Sequence, residues 1–478
     1  MGRRGRKSKP QWAHAEFGGA ELSDARRTAR LVQLARQLAE HPEASLPQAF
    51  KNPAALKAAY RFFDNADIAH EQILASHVRS SVDRMRGQPV ILAVQDTTEI
   101  DYSGHPDTEG LGPVHARGGW GMLCHGTLAF TPERLPLGVL GLRVWARDPE
   151  QKQRRNTRRK RAIDDKESYK WLDSVQAVAA LKAQLPDTRL VSVADRESDV
   201  YEFFTEAQAL GVDLLTRAAW DRNVTGPEGQ LFATLAAAPV VAHKWLALPA
   251  RGKRKARTAK LEIRACALTL NAPRNGSGRG LAPIALWGVW AYEPTPPADC
   301  EPLDWKLITT VPVRSAEEAL QCLDWYAARW GIECWHRVLK SGCRIESRQL
   351  ESFERLQRLL TLYAVIAWRI LYATMLARLV PGMSCTAILN EDEWQALYCR
   401  IHHTSRPPAT APPLRQAIRW IAQLGGFIGR ANDGEPGTQT LWKGFQELIP
   451  MTEMYRIMKP QQTSSAPLKS TKKNVGND

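Results

Sequence analysis

The sequence predicts an α/β protein: a central mixed unit interrupted by a β-rich stretch, flanked by helical N- and C-terminal modules. Three observations carry this. Short apolar runs bounded by turn residues, PVILAV at 89–94 and Leu190 to Ala194, read as buried strands and alternate with helical segments. Apolar residues recur at helical spacing near both ends of the chain. Residues 222–312 are rich in β-formers, Pro and Gly, with short candidate strands KWLALP, ALWGVWAY and WKLITTV.

In chain order, residues 1–11 read as a basic tail. MGRRGRKSKP has no apolar stretch behind it, which speaks against a secretory signal. Ser23 or Asp24 caps a helix in which Leu31, Leu34, Ala35 and Leu38 share one face. Asn52-Pro53 gives a second cap, with proline at the first helical position, opening AALKAAYRFF. Residues 1–75 therefore read as one helical module. Arg26, Arg27 and Arg30 lie on its first helix, with Arg26 and Arg30 on one face at i, i+4 spacing, which suits contact with DNA.

The central unit is expected over 76–375. The first strand run leads through Gln95 into Asp96, and the second ends at Asp195. Residues 121–131 and 136–145 suggest an antiparallel hairpin, followed by an Arg-rich loop and a helix near 166–184. Helix 199–209 and strand 212–217 precede the β-rich insertion, and helices return at 315–340 and 354–380. The longest apolar run, Leu359 to Trp368, stops at Arg369, short of the ~20 residues a bilayer needs, so no membrane span is expected. Residues 376–457 read as a helical C-terminal domain and 458–478 as a disordered polar tail.

The chain has 478 residues, with 65 Lys plus Arg against 50 Asp plus Glu, a net charge of +15. The excess is concentrated. Residues 1–9 carry five basic groups and no acid, 143–161 nine basic and two acidic, and 251–260 six basic and no acid. Such clustering fits a phosphate-backbone partner; a solvated tail and loops is the plainer alternative. The eight cysteines form no CxxC pair, which argues against a zinc ribbon or a disulfide framework and for reduced thiols in a cytoplasmic protein.

Asp96 and Asp195, each expected at the C-terminal end of a strand, would face solvent over a sheet edge, where open sheets build their sites; a turn residue is the alternative for each alone. In helix 315–340, Tyr326, Arg329, Glu333, Arg337 and Lys340 are spaced 3, 4, 4 and 3 and fall on one stripe. Leu323, Ala327, Trp330 and Cys334 form an adjacent stripe expected to face the core. A carboxylate ringed by cations is either a salt-bridged helix surface or an acid that binds metal while its neighbours hold phosphate. Three carboxylates on two strand ends and one helix match two-metal phosphoryl chemistry, which uses hard oxygen ligands.

Tyr326-x2-Arg329-x3-Glu333-x6-Lys340 resembles the YREK signature of bacterial cut-and-paste transposases of the insertion-sequence-four family. The resemblance extends over LSDARRTARL, AYRFF at 59–63, DTT at 96–98, KES-x-KW at 166–171, ADRESD at 194–199, PLDWKL at 302–307 and LGGF at 424–427. It implies a ribonuclease-H-like catalytic domain with a β insertion between the second Asp and the Glu. It also implies a metal-binding triad of Asp96, Asp195 and Glu333, served by two Mg²⁺ ions for which Mn²⁺ substitutes. Tyr326, Arg329 and Lys340 would contact phosphates, Trp305 would stack on a flipped base, and Arg217 would touch DNA. Arg26, Arg27 and Arg30 would read the terminal repeat. For Trp305 a plain core tryptophan is the alternative. The implied activity is cleavage of transposon ends, through a hairpin, and joining to target DNA by a homodimer on double-stranded DNA. A nuclease of the same fold that never joins, and a non-catalytic DNA-binding inhibitor, are the competing readings. The resemblance assigns nothing to the basic loops or the closing tail.

Overall fold

A computed structural model describes residues 12–50, 52–115, 118–149, 166–248, 256–274, 278–298, 300–430 and 433–459. The basic tail at 1–9, most of the Arg-rich loop and the tip of the third basic run lie outside these residues, as does the tail from 460.

The N-terminal module contains α1 (Trp12–Phe17), α2 (Ala25–Glu40), α3 (Leu46–Ala49), α4 (Pro53–Asp64) and α5 (His70–Met85). Asp24 caps α2 by accepting from the Arg26 amide at 2.8 Å, and Leu31, Leu34, Ala35 and Leu38 are all buried. Asn52 caps α4, with Pro53 in its first turn. Buried arginines fasten this module to the rest. Arg358 donates to the carbonyls of Phe63 and Ile68, and Arg348 to those of Pro42 and Ala44.

The centre is a mixed sheet of β1 (Val90–Asp101), β2 (Gly112–Val114), β3 (Gly119–Phe130), β4 (Pro136–Trp145), β5 (Arg189–Ala194), β6 (Asp213–Arg217), β7 (Val240–Leu248), β8 (Arg257–Leu270), β9 (Ile284–Tyr292) and β10 (Asp304–Thr309). The order is β2-β3-β1-β5-β6-β10-β9-β8-β7, with β4 also paired to β3. β1, β5 and β6 are parallel, and the other neighbours are antiparallel. The β3–β4 hairpin and strands β5 and β6 lie where the periodicity predicts them. The β-rich stretch does not fold apart. It continues the central sheet edge to edge through β10, and it carries a short helix, α8 (Leu231–Ala237).

Helices cover both faces. Leu92, Val94, Val191 and Val193 pack under α9 (Ala316–Ala328), α10 (Trp330–Arg337) and α11 (Phe353–Leu379), while Ile91, Ala93, Leu190 and Ala194 pack under α6 (Tyr169–Ala179) and α7 (Tyr201–Leu210). This alternation is the period-2 pattern of strands buried on both sides. α12 (Glu391–His402), α13 (Leu414–Leu424) and α14 (Thr438–Met458) build the C-terminal region around its own apolar cluster. α14 reaches into the start of the stretch expected to be disordered.

Two expectations need correction. Asp96 is not at a strand end: β1 runs on to Asp101 because its antiparallel pairing with β3 continues after its parallel partner β5 has stopped. Helix 315–340 is not continuous. It breaks at Arg329, where the Arg329 amide bonds back to Tyr326 and that of Ile332 to Arg329 in tightened turns. The break rotates the core face, so Ala328, Ile332 and Trp335 are buried while Trp330 is exposed. The apolar helix expected at 354–380 is present as α11, and Arg369 lies within it. Its guanidinium lies 4.8 Å from the ring of Trp12, and α11 continues to Leu379. By length and composition α11 is the one helix among the described residues able to cross a membrane, but most of its apolar stretch is buried in the protein.

Candidate active site

The sheet register aligns the two aspartates. The last parallel pair of β1 and β5 is Val94 with Val193, and Asp96 and Asp195 each lie two residues beyond it. By alternation both share the face of Val94 and Val193, under α9 and α10. Asp195 then turns the chain: its carboxylate accepts from the Glu197 amide at 2.9 Å and caps a tight turn over Arg196–Ser198.

Two glycines let α10 come close. Gly126 pairs with Asp96 across β1 and β3, and a β-carbon there would sit 2.9 Å from the ring of Trp335. A β-carbon on Gly331 would come within 2.6 Å of Phe130. Trp335 is fully buried and donates to the Ala364 carbonyl, which fixes α10 between the sheet and α11. Glu333 is thereby brought to Asp96, and Arg329 joins them. The Arg329 guanidinium donates to Asp96 at 3.2 Å and to Glu333 at 2.6 Å.

Burial pushes the Asp96 carboxyl up to about 6; Arg329 opposes this, and the charges of Asp195 and Glu333 add to it. Asp195 is raised too, mainly by burial and in part by Glu197. The two aspartates therefore lie in one buried locus, and Glu333 reaches its edge through Arg329. Their oxygen donors suit a hard divalent cation, and crowded carboxylates with raised proton affinity are what such a cation relieves. Among the described residues, however, no three His, Cys, Asp or Glu side chains converge closely enough to cage a metal. Arg329 lies between Asp96 and Glu333 and bridges them.

A second cluster adjoins the first. Tyr326 is buried on α9, with its hydroxyl pushed upward by that burial, and the Trp305 ring meets it edge-on at 6.0 Å. Arg217, at the end of β6, donates to the Asp304 carbonyl at 2.9 Å. Arg217, Arg329 and Asp195 thus lie around Tyr326, with Trp305 against its ring. Lys340 stands further off, in a wide helical turn over Val338–Gly342, paired with Glu346 at 3.0 Å. Arg26, Arg27 and Arg30 are not part of this site. Their side chains bond Asp24, Asp67 and Gln33 on the N-terminal module. Of the basic runs, Arg143, Arg147 and Arg257 are paired internally, with Asp173, Glu167 and Glu293.

Sequence reasoning missed Lys170, which is buried beside Asp195 and pairs with Glu197 at 3.4 Å. Only the shared KES-x-KW segment pointed to it.

The chain matches a transposase DNA-binding domain over residues 9–68, a transposase DDE domain over 173–369 and a transposase Tn5 dimerisation domain over 365–463. Together they make it a Tn5-like DDE transposase. DNA and a second copy of the chain are therefore its partners. Transposases of the DDE type cleave and transfer DNA strands and generally use divalent metal ions. The DDE match includes Asp195 and Glu333; Asp96 precedes it, on the strand beside Asp195.

The raised Asp96 has a consequence for stability. A carboxyl raised from 3.8 to about 6 stabilises the fold fully below pH 3.8, and that contribution is lost as pH rises through 6. In metal-free buffer, the transposase with Asp96→Asn is expected to melt above wild type at pH 7–8, with the gain shrinking as pH falls from 6 towards 4. The gain is at most about 3 kcal/mol, less whatever the lost Arg329 bond was worth. Thermal melting across that pH range checks this. A lower melting temperature for the variant at pH 8 would mean that the Arg329 pair outweighs the cost of burying the charge.

Proposed function

We propose that this transposase is a member of the insertion-sequence-four group with the YREK signature, and that Asp96, Asp195 and Glu333 are its catalytic acids. The observation that carries the reading is the juxtaposition of these three carboxylates around Arg329, two of them aligned by the β1–β5 register. The strand order β4-β3-β1-β5-β6, antiparallel over the first three and parallel over the last, with acids on β1 and just after β5, supports a ribonuclease-H-like catalytic domain. We assign residues 1–75 to end binding, 76–375 to catalysis, with 222–312 as its β insertion, and 376–457 to dimerisation. Action on bacterial DNA in the cytoplasm follows from this reading.

The three acids would hold two Mg²⁺ ions, with Mn²⁺ as a substitute; such ions activate the attacking oxygen and stabilise the leaving one. The chain's own residues do the positioning. Arg329 exchanges its carboxylate partners for the scissile phosphate, which frees Glu333 to turn towards the aspartates. Arg217, Tyr326 and Lys340 hold neighbouring phosphates, so that binding energy is spent on alignment. Water attacks the phosphodiester at the transposon end and frees a 3′-hydroxyl. That hydroxyl attacks the opposite strand to close a hairpin, with Trp305 stacked on the flipped base. A second water opens the hairpin, and the 3′-hydroxyl is joined to target DNA. Arg26, Arg27 and Arg30 read the terminal repeat.

The test incubates the full-length protein with Mg²⁺, a labelled duplex carrying the inverted repeat that flanks the gene, and a target plasmid. Nicked, hairpin and joined products are all expected. Cleavage without any joined product would identify a nuclease.

A further inference from the structure

A line of polar side chains crosses the sheet beneath the catalytic acids, on the face away from them. Thr97 on β1 and His125 on β3 are a cross-strand pair, with Thr97 Oγ1 2.9 Å from His125 Nδ1. His125 Nε2 lies 3.3 Å from Gln95 Oε1. The Gln95 amide nitrogen donates to Ser192 Oγ on β5. Gln95, His125 and Ser192 are each at most 1% exposed, in a layer packed under α6, where the neighbouring Thr127 bonds Ser174 separately. Buried polar groups are costly unless satisfied, so a chain that spans three strands at this point requires a reason.

We propose that His125 is a positioning residue for DNA cleavage: through Thr97 and Gln95, the residues on either side of Asp96, it holds that segment of β1 in line with Asp195 on β5. This rests on the assignment of Asp96 and Asp195 as catalytic acids.

With the Gln95 amide nitrogen on Ser192, the donors and acceptors fall into one arrangement. Gln95 Oε1 only accepts, so His125 Nε2 carries the proton. Nδ1 is then a lone pair, and the Thr97 hydroxyl donates to it. The Gln95 amide, oriented by that bond, donates to Ser192. His125 is neutral in this chain; complete burial, with Lys170 nearby, holds it well below the usual histidine range. The ring is fixed from outside by Trp171 on α6, edge-on at 4.7 Å.

The chain lies where the backbone pairing of β1 with β5 runs out, while β1 stays paired to β3. The parallel ladder of β1 and β5 ends at Val94 and Val193, one residue before Gln95 and two before Asp96. Beyond that point no backbone ladder sets the distance between the two aspartates. The Gln95–Ser192 bond reaches across from β1 to β5 there, and Thr97–His125 fastens the far side of Asp96 to β3. The Thr97 amide also donates to the Asp96 carboxylate at 2.7 Å, so any shift of Thr97 is passed directly to the acid. Groups behind a metal-binding carboxylate orient it, and removing them typically costs about 10- to 100-fold in metal affinity or activity.

Thr97→Val keeps the shape and removes the hydroxyl. In the full-length protein, with the inverted-repeat duplex as substrate, we expect cleavage to fall roughly 10-fold or more. The Mg²⁺ concentration for half-maximal cleavage should rise by a similar factor, as should the Mg²⁺ needed to raise the melting temperature without DNA. End binding should stay near wild type, and the metal-free melting temperature should fall only modestly, by the cost of the unpaired His125 Nδ1. Thr97→Ser, which restores the hydroxyl, should recover most of the lost rate, and His125→Phe should resemble Thr97→Val. Wild-type cleavage and Mg²⁺ dependence in Thr97→Val would overturn the proposal. So would a loss of rate that follows the melting temperature and is not recovered by serine, since that marks packing alone. Asp96→Asn, run alongside, separates the premises: if it cuts normally, the catalytic assignment has failed and not merely the positioning.

Discussion

Asp195→Asn and Glu333→Gln are each expected to abolish cleavage of a transposon end while leaving end binding largely intact. The loss should be on the order of 10³-fold or more, since removing even one preorganised group that stabilises transition-state charge costs about 10²–10³. Both substitutions conserve shape, so the fold should survive. Glu333 is 32% exposed in its side chain, and its bond to Arg329 can be kept by a glutamine oxygen. End binding persists because Arg26, Arg27 and Arg30 stand on a separate module whose polar partners are its own. Mg²⁺-dependent cutting and gel-shift affinity, measured on each variant, check this. Normal cutting by either variant removes that residue from the triad. Equal loss of cutting and binding would mean that the acid shapes the DNA interface instead.

The helical face of α2 was legible because Leu31, Leu34, Ala35 and Leu38 recur at 3.6-residue spacing, and its cap was legible because Asp24 precedes it. Strand β5 and the acid at its end were legible for a similar reason: a short apolar run stops at a charged turn. The position of Asp96 inside β1 was not. Strand length there is set by the β3 partner, and DTTEID carries no apolar run to reveal it. The break at Arg329 was also hidden. The residues around it suit a helix apart from Gly331, and α10 lies close on β3, with Gly126 under Trp335 and its own Gly331 against Phe130. For that reason the predicted core stripe through Trp330 was wrong, whereas Arg329 and Glu333, four residues apart, do meet on one side of the break. Lys170 and His125 carried no local signal, because their chemistry depends on contacts with β1, β5 and the turn after Asp195.

Trp305→Ala is expected to leave the first nick near wild type and to reduce hairpin formation by about 10- to 100-fold. Trp305 lies on β10 with its backbone paired to Ala291 and its ring edge-on to Tyr326, and it is only partly buried. That is neither an enclosed core side chain nor a free one, as a side chain that both packs and meets a ligand would be. Stacking on an aromatic platform is worth about 1–3 kcal/mol per base, which sets the expected factor. The first nick needs no distorted DNA. The hairpin does, because the 3′-hydroxyl must cross the duplex to reach the other strand. Trp335→Ala is the comparison. Trp335 is fully buried with its indole nitrogen bonded to the Ala364 carbonyl, so its truncation should cost about 3–5 kcal/mol and depress every step together with the melting temperature. A time course on a labelled transposon end, with thermal melting in parallel, distinguishes the two. If Trp305→Ala behaves like Trp335→Ala, losing nicking and hairpin formation equally in a destabilised protein, Trp305 serves the packing of β10 against α9 and the flipped base must be held by another group.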